Sequence, residues 1–217
     1  MASGKVASWA FGEEFVDESG VFEDDTVLAR ARERGNELGV PPVLPGAGAV
    51  LRLLAAAVDA RSVVEIGTGA GVGALYLLAG MHRSGVLTTI DPEIENQRAA
   101  RESFTEAGIR AARVRTIAGS PADVIERLTD HAYDLVCFPA DVRGGSDLLH
   151  HAERLLRPGG ALVISNVLHH DRVADPTARD EVTARIRTLL RAVQDSETLL
   201  PALMPSGDGV LAAIVRA

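Results

Sequence analysis

Residues 63–78 read VVEIGTGAGVGALYLL, and the fold follows from what surrounds the glycines Gly67, Gly69, Gly71 and Gly73. An apolar run enters them and an apolar stretch of helical length leaves them, so the spacing predicts a strand, a tight loop and a helix. Glycines at such a junction let the backbone pass close to a ligand with no Cβ in the way, although a bare strand-to-helix turn uses them too. Outward from this point short β-branched runs alternate with helical stretches. SVVEIG, VLTTID, ARVRTIAG, YDLVCF and GALVISNV are the candidate strands, with amphipathic helices roughly over 70–81, 93–107, 121–129 and 146–156. Apolar runs alternating with helices indicate parallel strands covered on both faces, hence an α/β, Rossmann-like doubly wound sheet. After a helix near 177–194, ETLLPALMP and GVLAAIVRA flank SGDG, a turn sequence tolerant of positive φ. That pattern predicts a closing antiparallel hairpin and a sheet of seven strands.

The glycine spacing also selects among ligands. A dinucleotide fingerprint needs G-x-G-x-x-G/A, but counting from Gly67 the sixth position is Val72. Glu65, two positions before the first glycine, would repel a diphosphate and attract a cationic or amino-bearing ligand. Asp91 ends LTTID twenty residues beyond Gly71, where a carboxylate can accept both ribose hydroxyls of a nucleoside. It can equally cap the helix starting at Pro92, and the two roles are compatible.

With 217 residues and 47% hydrophobic content the chain can bury one substantial core, and residues 25–217 are expected to form a single domain. Residues 1–24 are acidic and read as irregular, with Trp9, Phe11, Phe15 and Phe22 marking a segment that docks: a lid, a dimer arm or a tail. DDTVLARARERGNELG then reads as a helix from its acidic-to-basic charge order, and PGAGAVLRLLAAAVDA as another from its Pro-Gly start. No run of 18 apolar residues and no secretory h-region occurs, so neither membrane insertion nor export is indicated and a cytoplasmic protein is expected. The formal net charge of −8 argues against a nucleic-acid surface and favours a small-molecule partner. Of the 22 basic residues all but Lys5 are arginine, which removes a catalytic lysine from every motif above. Cys137, the only cysteine, lies in an apolar run and reads as an inert core thiol.

EIGTGAGVGALYLL looks like motif I of the class I S-adenosylmethionine-dependent methyltransferases. Together with LTTIDPEIENQRAARESFTEAG, YDLVCFPAD, LLRPGGALVISNVLHHDRVADP and the late GDG, the chain from about Val40 to Arg216 resembles a narrower group, the catechol and caffeoyl-CoA O-methyltransferase-like family with its small bacterial members. The resemblance implies S-adenosylmethionine as cofactor and S-adenosylhomocysteine as product. It places Val43 beside the methionine moiety, Gly73 near its carboxylate, and Ser120, Pro121 and Ala122 around adenine. Glu65, Gly67, Thr68, Gly69, Gly71, Asp91, Pro92 and Pro139 complete the expected cofactor-binding set. Related bacterial proteins are commonly dimers, so a homodimer is expected.

The same resemblance implies a divalent cation that clamps the acceptor oxygens, and there this sequence departs. The family's first aspartate ligand stands at Pro139, its Asp-Asn pair at Ser165 and Asn166, and its lysine base at Val142. A hard cation wants several oxygen ligands with carboxylates among them. The expectation is therefore a metal-independent or catalytically altered member, the alternative being a displaced site built from Asp141, Asn166 and Asp171. In SNVLHHDRVADP the candidate base is His170 with His169 beside it, since histidine titrates near working pH. Asp141 is the other catalytic candidate; plain loop and capping roles remain open for all three. The leading reading is an O-methyltransferase for a small hydroxylated acceptor, with phenols among the candidates. A catalytically degenerate scaffold that keeps the cofactor pocket is the second, and a nicotinamide-dependent oxidoreductase, disfavoured by Glu65 and the glycine spacing, the third.

Overall fold

Along the central strands successive side chains point to opposite faces, and each face finds its own helices. The structure is a computed structural model and describes residues 2–16, 21–24 and 26–216. In chain order the elements are α1 (Ala2–Glu14), α2 (Val27–Glu37), α3 (Pro45–Ala57), β1 (Ser62–Ile66), α4 (Val72–Gly80), β2 (Val86–Asp91), α5 (Ile94–Glu106), β3 (Val114–Ala118), α6 (Pro121–Ile125), β4 (Tyr133–Pro139), α7 (Gly145–Leu155), β5 (Leu156–Ser165), α8 (Glu181–Asp195), β6 (Leu199–Met204) and β7 (Val210–Val215). Val63, Leu87, Leu135 and Val163 pack under α2, α3 and α4, whereas Val64, Ile90, Val136 and Ile164 pack under α7 and α8. Both faces of the sheet are thus covered, which is why its strands read as nearly continuous apolar runs.

The described residues form one seven-stranded sheet in the order β3-β2-β1-β4-β5-β7-β6, with β7 antiparallel to both neighbours, as the sequence predicts. The order reverses between β1 and β4, so the loops leaving those two strands part and open a crevice there. Asp134 fixes the opposite end of the same strands: its carboxylate accepts from the backbone N–H of Arg61 (2.7 Å) and Ser62 (2.8 Å) and from Arg157 Nε (2.6 Å).

Three expectations need correction. Residues 2–14 form α1 rather than an irregular segment. Its C-terminal end is held by Glu13, which accepts from the backbone N–H of Gly46 at the start of α3 (2.8 Å) and of Gly207 in the β6–β7 turn (2.5 Å). Trp9, Phe11 and Phe15 stay exposed, and of the four aromatic residues only Phe22 packs on the core. The helix expected over 121–129 closes after Ile125, and the one near 177–194 starts at Glu181, where Asp180 accepts from Thr183 N–H at 2.9 Å and sets the cap.

Candidate active site

Beyond the carboxyl ends of β1, β4 and β5 lies a cavity of about 380 Å³, reached by Ile66, Pro139 and Ser165 at those strand ends. That volume is in the range, roughly 300–1,000 Å³, of small-molecule sites. The glycine loop forms one wall. Gly67 (φ 85°) and Gly69 (φ 49°) take the left-handed conformation that places backbone, not side chain, against the space. Gly71 lies outside the lining: a Cβ there would sit 3.0 Å from the Phe104 ring, so its missing side chain serves the approach of α4 to α5.

Asp91 lines the cavity while 4% exposed. Its Oδ2 accepts from Gly69 N–H (3.0 Å), its Oδ1 from Glu93 N–H (2.9 Å), and Asn96 Nδ2 lies 3.2 Å from both oxygens. The carboxylate therefore fixes the glycine loop and the turn into α5. With about four acceptor sites it retains capacity for a further donor. A buried polar chain runs behind the loop, from Gln97 Nε2 to Thr68 Oγ1 (2.9 Å), on to Thr89 Oγ1 (2.7 Å), and from there to Glu65 Oε2 (2.7 Å). Burial pushes the Glu65 carboxyl up to about 8; the Thr89 bond acts against this and the charge of Asp91 adds to it.

The other end of the cavity is polar and strained. Asn166, His169, His170 and Asp171 all have positive φ, between 48° and 63°, a conformation that Asn, Asp and His tolerate better than most residues and that gathers at functional sites. Asp208, in the β6–β7 turn, holds this loop. It accepts from His170 N–H at 2.8 Å, its other carboxylate oxygen is 3.8 Å from His170 Nδ1, and its backbone carbonyl accepts from Leu168 N–H at 2.9 Å. The His170 side chain is 85% exposed at the lip, whereas His169 turns inward, with Nε2 3.9 Å from Asp180 Oδ1.

Of the sequence-derived candidates, Val43, Glu65, Gly67, Thr68, Gly69, Gly73, Asp91, Pro139, Asp141, His169 and His170 all line this one cavity. Gly71, Pro92, Ser120, Pro121 and Ala122 do not; Ser120 and Pro121 start α6, and Pro92 and Ala122 are exposed. Asp208 is a charged lining residue that sequence reasoning did not assign to the site, although it read GDG as a turn and as one of the pieces that carry the resemblance. Cys137 also lines the cavity, yet it is buried and its thiol is pushed well up, first by burial and then by the charge of Glu65, in keeping with an inert group.

At the positions where the resemblance implies ligands for a hard divalent cation, Pro139 offers no side-chain ligand and Ser165 and Asn166 are neutral, so that ligand set is not present there. Of the displaced alternative, Asp141 and Asn166 line the cavity beside Asp208 while Asp171 does not, and among the described residues no group of three or more His, Cys, Asp or Glu side chains converges to hold a metal.

Comparison with known proteins agrees with this architecture. A family model described as O-methyltransferase matches residues 18–216. A protein of Mycobacterium ulcerans described as an O-methyltransferase is 46% identical over 195 residues, 90% of this chain and 87% of the relative. Among solved structures, a Corynebacterium glutamicum protein superposes with a TM-score of 0.86 at 33% identity, covering 97% of this chain and 98% of the other. The O-methyltransferase TomG of Streptomyces achromogenes, involved in tomaymycin synthesis and solved in complex with SAM, superposes with a TM-score of 0.82 at 25% identity over 97% and 98% of the two chains.

Proposed function

Since the chain belongs to the O-methyltransferase family, we propose that it transfers a methyl group from S-adenosylmethionine to the hydroxyl of a small phenolic acceptor without a metal ion. The observation that carries this reading is the single cavity in which the glycine loop, Glu65 and Asp91 meet the His169–His170 rim. When bound, S-adenosylmethionine supplies a sulfonium methyl for in-line displacement, a reaction for which positioning gives much of the rate. Gly67 and Gly69 admit the cofactor close to the backbone, Asp91 keeps acceptor capacity for its ribose, and Glu65 faces its cationic end. His170, oriented by Asp208, is the candidate base at the lip; a phenol that ionises near neutrality needs little more help. Pro139, Val142 and Ser165, standing where the family's cation ligands and lysine base would be, support a reaction without the cation.

α1 fits the role of a lid anchored by Glu13 across two walls of the cavity, since Gly207 adjoins Asp208 and Gly46 follows the lining stretch Val40–Leu44. The exposed Trp9, Phe11, Phe15 and Leu53 support a homodimer contact. The lone cysteine and net charge of −8 support a cytoplasmic protein that acts on small molecules rather than nucleic acid.

Calorimetric titration with S-adenosylhomocysteine, once with a chelator and once with Mg²⁺, tests the reading. Micromolar binding, equal in both, is expected, followed by chelator-resistant methylation of simple phenols that falls in His170→Ala. Binding without methylation of any acceptor would favour the degenerate scaffold that keeps the pocket, and absence of binding would overturn the cofactor assignment; activity that returns only with Mg²⁺ would show that Pro139 is misread.

A further inference from the structure

Glu65 lies in the cavity wall beneath α4 with one carboxyl oxygen committed and the other free. Oε2 accepts from Thr89. Oε1 makes no hydrogen bond among the described residues, and it approaches α4 so closely that a Cβ on Gly73 would lie 2.6 Å away. The groups facing it come from every packed element: Cys137, its Cα partner on β4; Thr89 on β2, with Asp91 at that strand's end; Gly73 on α4; and Leu51 on α3. None carries a positive charge, and no lysine or arginine lines the cavity. An ionised carboxylate placed there is largely desolvated and finds no cation.

We infer that the site takes its methyl donor by proton exchange at Glu65: the carboxyl is neutral in the empty cavity, and the donor's ammonium, arriving against Oε1, takes the place of its proton. Only the O–H bond breaks, and the proton passes to solvent. The buried carboxyl, held up at about 8 when the cavity is empty, drops by about 1–3 units once an opposite charge lies within roughly 4–6 Å. Binding near neutral pH then releases about half to one proton. The resulting carboxylate also favours the donor, which carries an additional positive charge at sulfur, over the neutral thioether product. This rests on the assignment of S-adenosylmethionine to the cavity.

The test is calorimetry on the full chain at about pH 7 with S-adenosylmethionine and with S-adenosylhomocysteine, in phosphate and in Tris, whose ionisation heats differ. The wild type is expected to release about half to one proton on binding the donor and less on binding the product. Relative to Glu65→Gln, in which the donor's α-amine, near about 7.7–8.0, titrates in the same way, the wild type's affinity for the donor is expected to tighten roughly 4- to 16-fold between about pH 6.5 and about pH 8 and then level off. Glu65→Gln, which keeps the shape and an acceptor for Thr89, is expected to release none; it also serves as the reference for the ligand's own amine. Cys137→Ala is expected to release as the wild type does. Heats of the wild type that agree in both buffers, release that persists in Glu65→Gln, or release lost in Cys137→Ala would each overturn the inference. Binding without release overturns it while leaving the cofactor assignment standing; no binding in either buffer overturns the assignment itself.

Discussion

A buried carboxyl without a cation weakens the fold that carries it, and Glu65 gives this a definite pH window. Its value in the folded chain, about 8, is raised above the ordinary 4.5, so the unfolded chain ionises first. The contribution of Glu65 to stability without cofactor therefore declines as pH rises from about 4.5 to about 8 and is flat on either side. Glu65→Gln removes that ionisation and keeps the packing. Its unfolding midpoint relative to the wild type is expected to climb through this window, reaching about 5–10 °C at pH 8 for a few kcal/mol in a domain of this size. Parallel midpoints across the window, read by differential scanning calorimetry, would mean that the carboxyl is ionised in the folded protein after all. A residue that stabilises when neutralised yet stays acidic is what a binding site retains at a cost to stability.

At the scale of elements the glycines do different work from one another. Gly48 lets α3 close on α4: a Cβ there would fall 2.1 Å from the ring of Tyr76, which is fully buried. Gly48→Ala gains helix propensity on paper, but the overpacking is expected to cost about 1–3 kcal/mol and lower the midpoint by roughly 2–10 °C. An unchanged midpoint in a thermal melt would mean that Tyr76 repacks freely. Elements of this kind were legible in the sequence because burial on both faces writes itself as apolar runs, as in VLTTID and YDLVCF. α1 was not: ASGKVASWAFGEE carries Gly4 and Gly12 and little amphipathic period, and its end is secured by Glu13 reaching Gly46 and Gly207, contacts spanning 33 and 194 positions. The candidate site divides the same way. The glycine loop, Glu65 and Asp91 form a local strand-loop-helix pattern, whereas the Asp208–His170 contact, 38 positions apart, exists only once the β6–β7 hairpin has folded against β5.

For the molecule as a whole, Glu13 joins parts that the sheet alone leaves separate. One carboxylate satisfies the first turn of α3, whose N-cap Leu44 has no side-chain acceptor, and the turn that carries Asp208. Losing it frees two backbone N–H groups that water can reach, so the core should suffer little while α1 detaches. Glu13→Ala is expected to cost about 0.5–2 kcal/mol, the range for helix caps. That loss should appear as local opening of α1. Limited proteolysis is expected to cut within residues 1–26 about 3- to 30-fold faster in the variant, with the remaining chain resistant. S-adenosylhomocysteine should bind more weakly, since the cavity walls on both sides of the strap are released together. Faster cleavage with unchanged affinity would make α1 a passive appendage; slower dissociation of ligand in the wild type than in the variant would identify it as the lid.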